Sequence, residues 1–369
     1  MVISTKERIF TLKKLSEQIP LEIVQQVVGE CAYTAPPNFP ENLLDIIYAG
    51  DCMEMIKQLP DESVDLVVSS PPYNIGKTSN DRKPLEQYLE WQTEVLRECH
   101  RVLKSTGSLF WQVGAFVSND GYHLPLDIRF FPILESFGMI PRNRIVWIRP
   151  HGVHAKNKFS GRHETIVWFT KTMNYKFYLD SIKVPQKYDN KKHWKGDKKG
   201  ELSCDPLGKN VGDVWAFRNV RHNHEEDTIH PAQFPEDLIE RIVLCSTVPG
   251  DVVLDPFMGV GTTAVVCKRF NRHFCGAEIN LEYSSIANQR LSGNPDEKGN
   301  FPNLKTLREY ALSHGIKDVS GFSFTRQRPG STASLGSKAF PESYHLEKII
   351  ERVEFEAENS LYKKLIKRI

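Results

Sequence analysis

The apolar positions of the chain form short runs that alternate with longer amphipathic stretches between residues 43 and 290. Runs with the length and composition of β-strands occur at residues 43–49, 64–68, 108–113, 144–148, 164–170 and 252–254. Apolar residues recur at helical spacing at residues 53–59, 85–103, 126–137, 236–246 and 262–270. Strands and helices that alternate in this way predict an α/β fold with a doubly wound, mostly parallel sheet.

The two ends of the chain follow different patterns. Residues 1–40 carry apolar side chains at helical spacing before a proline pair, which predicts a helical extension. Residues 291–369 contain a Gly/Ser-rich tract at 330–338, predicted to be a mobile linker, and an apolar-striped helix at 344–369. We therefore expect one catalytic domain at residues 41–290 between two extensions, with the last helix used for docking or homodimer formation.

Composition limits the class of protein. A chain of 369 residues that is 40% hydrophobic can bury one large core, and a net charge of +2 means that any basic surface is local. Seven cysteines without a C-x-x-C pair argue against a disulfide framework and a zinc site, and favour a cytoplasmic location. The first twenty residues have no long apolar core, so we expect neither a signal peptide nor a membrane anchor.

Residues 252–278 predict a nucleotide-binding turn. An apolar strand precedes Gly259 and Gly261, a helix follows, and Glu278 closes the next strand, where a carboxylate can accept hydrogen bonds from ribose hydroxyls. A turn that serves only helix packing is the alternative for the glycines alone. Asp255, directly before the turn, disfavours a phosphate ligand and favours a cationic one.

A second candidate site follows the strand predicted at residues 64–68. Ser70, Pro71, Pro72 and Tyr73 stand at its carboxyl end, where open parallel sheets bind ligands. The prolines remove two donors, so the Ser70 hydroxyl and nearby carbonyls act as acceptors, and Tyr73 offers a flat face. Such acceptors can hold both hydrogens of a nucleobase amine and make its nitrogen nucleophilic. A Pro-Pro turn without chemistry is the alternative for this motif alone.

The two motifs together resemble the beta group of S-adenosylmethionine-dependent DNA amino-methyltransferases, in which the catalytic motif precedes the cofactor motif. The resemblance covers about residues 43–283 and implies a circularly permuted, seven-stranded, Rossmann-like methyltransferase sheet. It implies that the catalytic residues are Ser70, Pro71, Pro72 and Tyr73. It also implies that S-adenosyl-L-methionine is bound by Asp51, Asp255, Phe257, Gly259, Gly261, Thr262 and Glu278. One departure is Phe234, where the group often carries lysine.

The resemblance implies direct methyl transfer to the amine of a flipped base, with Tyr73 stacking on that base. Methylation at cytosine C5 needs a cysteine nucleophile, usually after a proline, and no cysteine of this chain follows a proline. Members of this group with serine at the first position of the tetrad are more often cytosine-N4 enzymes, so the resemblance favours cytosine N4 over adenine N6, although serine and aspartate can both accept the hydrogen bond. Methylation of the amine of RNA or of a protein glutamine is a closer alternative class, and a nicotinamide-dependent dehydrogenase is a more distant one.

A lysine-rich stretch at residues 186–200 predicts an inserted loop within a target-recognition segment at 185–228. We expect double-stranded DNA to contact Lys191, Lys192, Lys198, Lys199, Arg218 and Arg221, and residues 215–224 to reach base edges. A solvated lysine loop is the alternative. Residues 74–83 are predicted to form a flap over the base, a restriction endonuclease is an expected partner, and no metal site is assigned to His222 and His224.

Overall fold

A computed structural model of the protein describes residues 36–74, 83–117, 122–149, 154–186, 188, 191–205, 208–221, 224–316 and 323–324. Most of the N-terminal extension predicted at 1–40 lies outside these residues. The same holds for the linker at 330–338, the terminal helix at 344–369, most of the flap at 74–83, and His222.

The described elements alternate along the chain much as the hydrophobic pattern predicts. The strands are β1 (Ile46–Ala49), β2 (Val64–Ser69), β3 (Leu103–Val113), β4 (Ala115–Val117), β5 (His123–Pro125), β6 (Ile140–Ile148), β7 (His163–Thr170), β8 (Val214–Ala216), β9 (Val252–Asp255), β10 (His273–Glu278), β11 (Asn300–Phe301) and β12 (Ser323–Phe324). The helices are α1 (Cys52–Ile56), α2 (Leu85–Val102), α3 (Asp127–Ser136), α4 (Glu236–Ser246), α5 (Thr262–Arg269), α6 (Leu281–Ser292) and α7 (Leu304–Ser313).

Eight of the strands form one sheet in the order β1-β10-β9-β2-β3-β7-β6-β8. The first five are parallel, β7 runs antiparallel to β3 and β6, and β8 is parallel to β6. Side chains of β2 alternate between two cores, because Val67 packs with α1 and α2 while Leu66 and Val68 pack with α4 and α5. Helices therefore cover both faces, which confirms the doubly wound, mostly parallel fold.

The eighth strand, β8, was not expected. It extends the predicted seven-stranded sheet at the β6 edge, and its central residue, Trp215, is only 4% exposed. The Trp215 indole N–H donates to the Gly212 carbonyl at 2.9 Å, and the Arg241 guanidinium lies 5.1 Å from the ring. The expectation that Trp215 reaches DNA base edges is therefore wrong, because its side chain anchors the strand in the core.

The described residues also bear on metal and membrane sites. No helix among them is long and apolar enough to cross a membrane. Within the same part of the chain, no group of three or more His, Cys, Asp and Glu side chains is arranged to hold a metal ion. The six cysteines that the structure describes are free thiols.

Candidate active site

The two sequence motifs lie side by side at the carboxyl edge of the sheet. Strands β2 and β9 are parallel neighbours, with Leu66 opposite Val253. Just beyond this register, the Ser69 hydroxyl donates to Asp255 Oδ1 at 2.5 Å. Because parallel strands end at the same edge, the turn after β2 and the glycine turn after β9 open toward a common space.

The glycine turn depends on a left-handed backbone at two positions. Gly259 has φ of 56° and Gly261 has φ of 79°, a region that other residues rarely adopt. A Cβ atom on Gly261 would lie 2.8 Å from the Ala287 Cβ in α6, whereas one on Gly259 would lie 3.4 Å from His230 Nε2. Gly261 therefore allows α5 and α6 to pack closely.

The Asp255 carboxylate faces the protein interior. The side chain is fully buried and accepts hydrogen bonds from the hydroxyls of Ser69 and Thr263, the latter at 2.6 Å, and from the Phe257 N–H. Burial raises its pKa to about 6, although these hydrogen bonds oppose the shift. The structure thus differs from the expected contact between Asp255 and a cationic cofactor.

Thr262 also differs from its expected position. Its side chain is buried at the start of α5, and its hydroxyl accepts from Arg290 Nη1 at 3.1 Å. The same Arg290 atom donates to the Val260 carbonyl at 2.6 Å. Thr262 therefore helps to hold the glycine turn in place and does not line the cavity beside it.

A cavity of about 280 Å³ lies between the two turns. Of the expected residues, Asp51, Pro72, Phe257 and Glu278 line it; Asn74, Lys83, Tyr88 and Trp91 are among the others. Phe257 meets Trp91 and Trp111 edge to face, with ring centroids 5.5 and 5.9 Å away. Sequence reasoning missed Trp91 because its spacing on α2 is that of an ordinary amphipathic helix.

Two carboxylates reach the cavity from neighbouring strand ends. Asp51 caps α1 by accepting from the Met53 N–H at 2.8 Å. Glu278 accepts from the backbone N–H of Gly259 at 2.9 Å and of Asn280 at 2.8 Å, and burial raises its pKa. Carboxylates accept hydrogen bonds from ribose hydroxyls, and the aromatic wall suits a flat base. The cavity therefore fits a nucleoside, and its two acids disfavour a pyrophosphate.

The tetrad side chains form a hydrogen-bonded chain next to this cavity. Ser70 Oγ lies 3.1 Å from the Tyr73 hydroxyl, which donates to Glu164 Oε2 at 3.1 Å. The Tyr73 ring covers Gly114, where a Cβ atom would lie 3.1 Å from the ring. Glu164 was missed because only its strand, not its partner across the sheet, is visible in the sequence.

Asn74 connects the two sides of the segment predicted to be a flap. Its buried amide donates to the Lys83 carbonyl at 2.7 Å and accepts from the Lys83 N–H at 2.6 Å. Asn74 itself has φ of 56°. The side chain therefore fixes the distance between the chain before residue 75 and the chain after residue 82.

The lysines predicted to contact DNA are exposed in a hairpin-like segment. Lys192 and Leu202 form an antiparallel bridge, and His193 N donates to the Glu201 carbonyl at 2.9 Å. All six residues predicted to contact DNA are exposed: Lys191, Lys192, Lys198, Lys199, Arg218 and Arg221. Trp194, at 83% exposure, lines a cavity of about 510 Å³ together with Lys191, Lys192 and Tyr188. The Arg221 guanidinium donates to the Pro231 carbonyl.

Comparison with known proteins gives consistent results. The profile of a DNA methylase family, N6_N4_Mtase, matches residues 64–289. The chain is 69% identical over 330 residues to the type II methyltransferase M.BglII of Bacillus subtilis, covering 89% of this chain and 92% of that one. It is 36% identical over 262 residues to the DNA adenine methyltransferase YhdJ of Escherichia coli (strain K12), covering 69% of this chain and 85% of that one.

Solved structures add a comparison of the fold. A PvuII DNA methyltransferase described as cytosine-N4-specific is similar over 66% of this chain and 84% of that one, with a TM-score of 0.52 and 22% identity. At this identity the likeness concerns the fold alone.

Proposed function

The chain belongs to the beta group of DNA amino-methyltransferases of the restriction-modification type, and on this premise we propose that its target is the N4 amine of cytosine. S-adenosyl-L-methionine is the cofactor, and when bound it supplies a methyl group on a positively charged sulfur. One observation carries the choice of base: the tetrad begins with Ser70, a neutral acceptor next to the cavity. Members of the group with serine at this position are more often cytosine-N4 enzymes.

We assign the methyl acceptor side of the reaction to the tetrad. Ser70 accepts a hydrogen bond from the target amine, and the Pro71 and Pro72 carbonyls form the rest of an acceptor-rich turn. Tyr73 stacks on the flipped base. Fixing the amine in line with the methyl group supplies most of the rate, because the step then needs no further alignment.

The cofactor side of the reaction belongs to the cavity residues. We assign Glu278 to the ribose hydroxyls, Asp51 to a position near the adenine, and Phe257 with Trp91 to a wall for the adenine ring, because all four line the same cavity. Gly259 contributes a backbone that approaches the ligand closely. We propose that Asp255, Gly261 and Thr262 support cofactor binding indirectly, because their contacts hold the glycine turn in its conformation.

DNA recognition is assigned to the segment at residues 185–228. Exposed lysines neutralise phosphates, and the exposed Trp194 stacks on or between bases. This assignment takes double-stranded DNA as the partner. A restriction endonuclease with the same recognition site, a homodimer and a cytoplasmic location complete the proposal for the whole protein.

The decisive experiment is chemical analysis of the product. Plasmid DNA methylated by the purified protein is digested to nucleosides and weighed by mass spectrometry, with the Ser70→Ala variant as control. The proposal expects N4-methylcytosine from the parent protein and a loss of product from the variant. Exclusive N6-methyladenine would overturn the choice of cytosine, and methylation of RNA or protein substrates without DNA methylation would overturn the choice of DNA.

Thermal unfolding separates this function from a nicotinamide-dependent dehydrogenase. S-adenosylhomocysteine is expected to raise the melting temperature, because a ligand that binds only the folded state stabilises it. NAD is expected to leave it unchanged, since the two carboxylates at the cavity repel a pyrophosphate. Stabilisation by NAD alone would favour the dehydrogenase.

A further inference from the structure

Glu164 lies behind the tetrad, on a strand that sequence motifs do not single out. It occupies the start of β7, which runs antiparallel to β3, and its side chain is 12% exposed. Its Oε1 pairs with Arg149 Nη1 at 2.7 Å. Its Oε2 accepts hydrogen bonds from the Tyr73 hydroxyl, at 3.1 Å, and from the Gln112 amide. The carboxylate therefore has a partner for each oxygen.

These contacts fix the direction of the hydrogen bond between Ser70 and Tyr73. A carboxylate paired with a guanidinium can only accept, so the single Tyr73 proton is committed to Glu164. Burial raises the pKa of the Tyr73 hydroxyl well above its usual value, and the neighbouring Glu164 charge raises it further, so this proton stays on the tyrosine. The Tyr73 oxygen must then accept from the Ser70 hydroxyl.

The Ser70 oxygen is left without a proton to donate elsewhere. The Ser70 oxygen keeps its two lone pairs, and these can accept a hydrogen bond from an N–H of the target amine. A serine with a freely rotating hydroxyl could instead donate toward ring nitrogens or water. The direction of the hydrogen bonds from Ser70 through Tyr73 to Glu164 therefore decides whether Ser70 is an acceptor or a donor toward the base.

We propose that Glu164 is a positioning residue for methyl transfer, which acts through Tyr73 to keep Ser70 a pure hydrogen-bond acceptor for the target amine. This inference rests on the proposed function. Glu164 does not touch the substrate in this arrangement.

The sharpest variant is Glu164→Gln. Arg149 needs an acceptor, so the glutamine carbonyl turns toward Arg149 and the amide N–H₂ turns toward Tyr73. The Tyr73 proton then points to Ser70, and Ser70 donates toward the target. We expect kcat to fall on the order of 10- to 100-fold, the value of a charge-assisted hydrogen bond, with the KM for S-adenosylmethionine unchanged.

The Tyr73→Phe variant tests the same series of hydrogen bonds and keeps the aromatic ring that stacks on the base. It removes the hydroxyl, so its kcat is expected to fall to a similar extent. In the double variant, Tyr73→Phe with Glu164→Gln, no further loss is expected, because Glu164 acts only through that hydroxyl. Asp127→Asn is the matched control, since Asp127 is a buried carboxylate paired with Arg144 outside the site, and its kcat is expected to be unchanged.

The outcomes are distinct. An unchanged kcat in Glu164→Gln, or losses that add in the double variant, would overturn the positioning role. If Glu164→Gln proves too unstable to assay, Tyr73→Phe carries the test, and full activity there overturns the inference. Full activity in Ser70→Ala contradicts the proposed function itself, whereas an inactive Ser70→Ala with a normal Glu164→Gln contradicts only the role of Glu164.

Discussion

The Ser69 hydroxyl donates a 2.5 Å hydrogen bond to Asp255 Oδ1 across 186 residues of chain. The two residues end neighbouring strands, β2 before the proline turn and β9 before the glycine turn. Both side chains are fully buried. This bond therefore fixes the two motifs relative to each other, and it explains why the aspartate before the glycine turn points inward.

Neutralising Asp255 is expected to change how stability depends on pH. Its pKa is about 6 in the folded protein, against a reference value of 3.8. Between these values the unfolded chain ionises first while the folded protein keeps the proton, so the free energy of unfolding falls as pH rises. The full loss is about 3 kcal/mol for a shift of this size.

Asp255→Asn removes this loss, so the free energy of unfolding of the variant, relative to that of the parent protein, is expected to rise between pH 3.8 and about 6 and to stay constant at higher pH. Urea unfolding at several pH values measures the difference. Parallel stability profiles for the two proteins would show that the carboxyl does not titrate in this range.

Gly261→Ala is expected to destabilise the protein and weaken cofactor binding. The left-handed backbone costs about 1 kcal/mol for an alanine, and the approach to Ala287 adds about 1–3 kcal/mol of overpacking. Gly293→Ala is the matched control, because Gly293 has φ of 70° but no atom within 4 Å of an added Cβ. Denaturant unfolding and cofactor titration of both variants test this, and equal losses of stability would contradict the packing argument.

Glu236→Gln is expected to cost about 3–5 kcal/mol of unfolding free energy, the usual effect of breaking a buried ion pair. The Glu236 carboxylate forms ion pairs with Arg290 at 2.8 Å and Lys305 at 2.5 Å, and it also pairs with Arg269. Burial opposes ionisation, but these cations hold its pKa well below the usual value. The variant leaves three cations around a neutral amide.

The control for Glu236→Gln is Glu62→Gln. Glu62 is 53% exposed and pairs with Lys171 at 3.2 Å, so its loss is expected to cost less than about 1 kcal/mol. Denaturant unfolding at neutral pH compares the two. A loss for Glu236→Gln as small as the control's would mean that the surrounding cations find other partners.

Replacing Lys191, Lys192, Lys198 and Lys199 with glutamine is expected to flatten the salt dependence of DNA binding. Each phosphate contact adds about 0.9 to the slope of log K against log salt, so four lost contacts reduce it by up to about 3.6. Lys57, Lys268 and Lys298, which are exposed outside the segment, provide the control. Binding titrations over a range of salt concentrations measure the slope, and an unchanged value would argue for a solvated loop.

Local patterns predicted the elements well where one side of a helix or strand carries the apolar residues. The helix predicted at residues 236–246 has those bounds in the structure, and the helix predicted at 85–103 ends one residue earlier. The strand β8 was not predicted because it has only three residues and owes its burial to β6 and to Arg241.

Side-chain direction was harder to predict than the elements. Asp255 was expected to face a cation, but the hydroxyls that satisfy it come from Thr263 and from Ser69 on another strand. Glu164 carries no motif, and its contact with Tyr73 arises only from the pairing of β3 with β7. Sequence spacing contains neither fact, since both depend on which strands become neighbours.

The pairing of β8 with β6 also bears on how methylation specificity could change. The lysine-rich segment leads into β8, which is two strands away from Glu164 on β7, and adjacent strands are about 4.8 Å apart. Under the proposed roles, the strand that follows the DNA-selecting segment and the strand that carries Glu164 belong to one hydrogen-bonded sheet, with only β6 between them. Grafting this segment from a relative would then redirect the enzyme to a different site while the modified atom stayed the same.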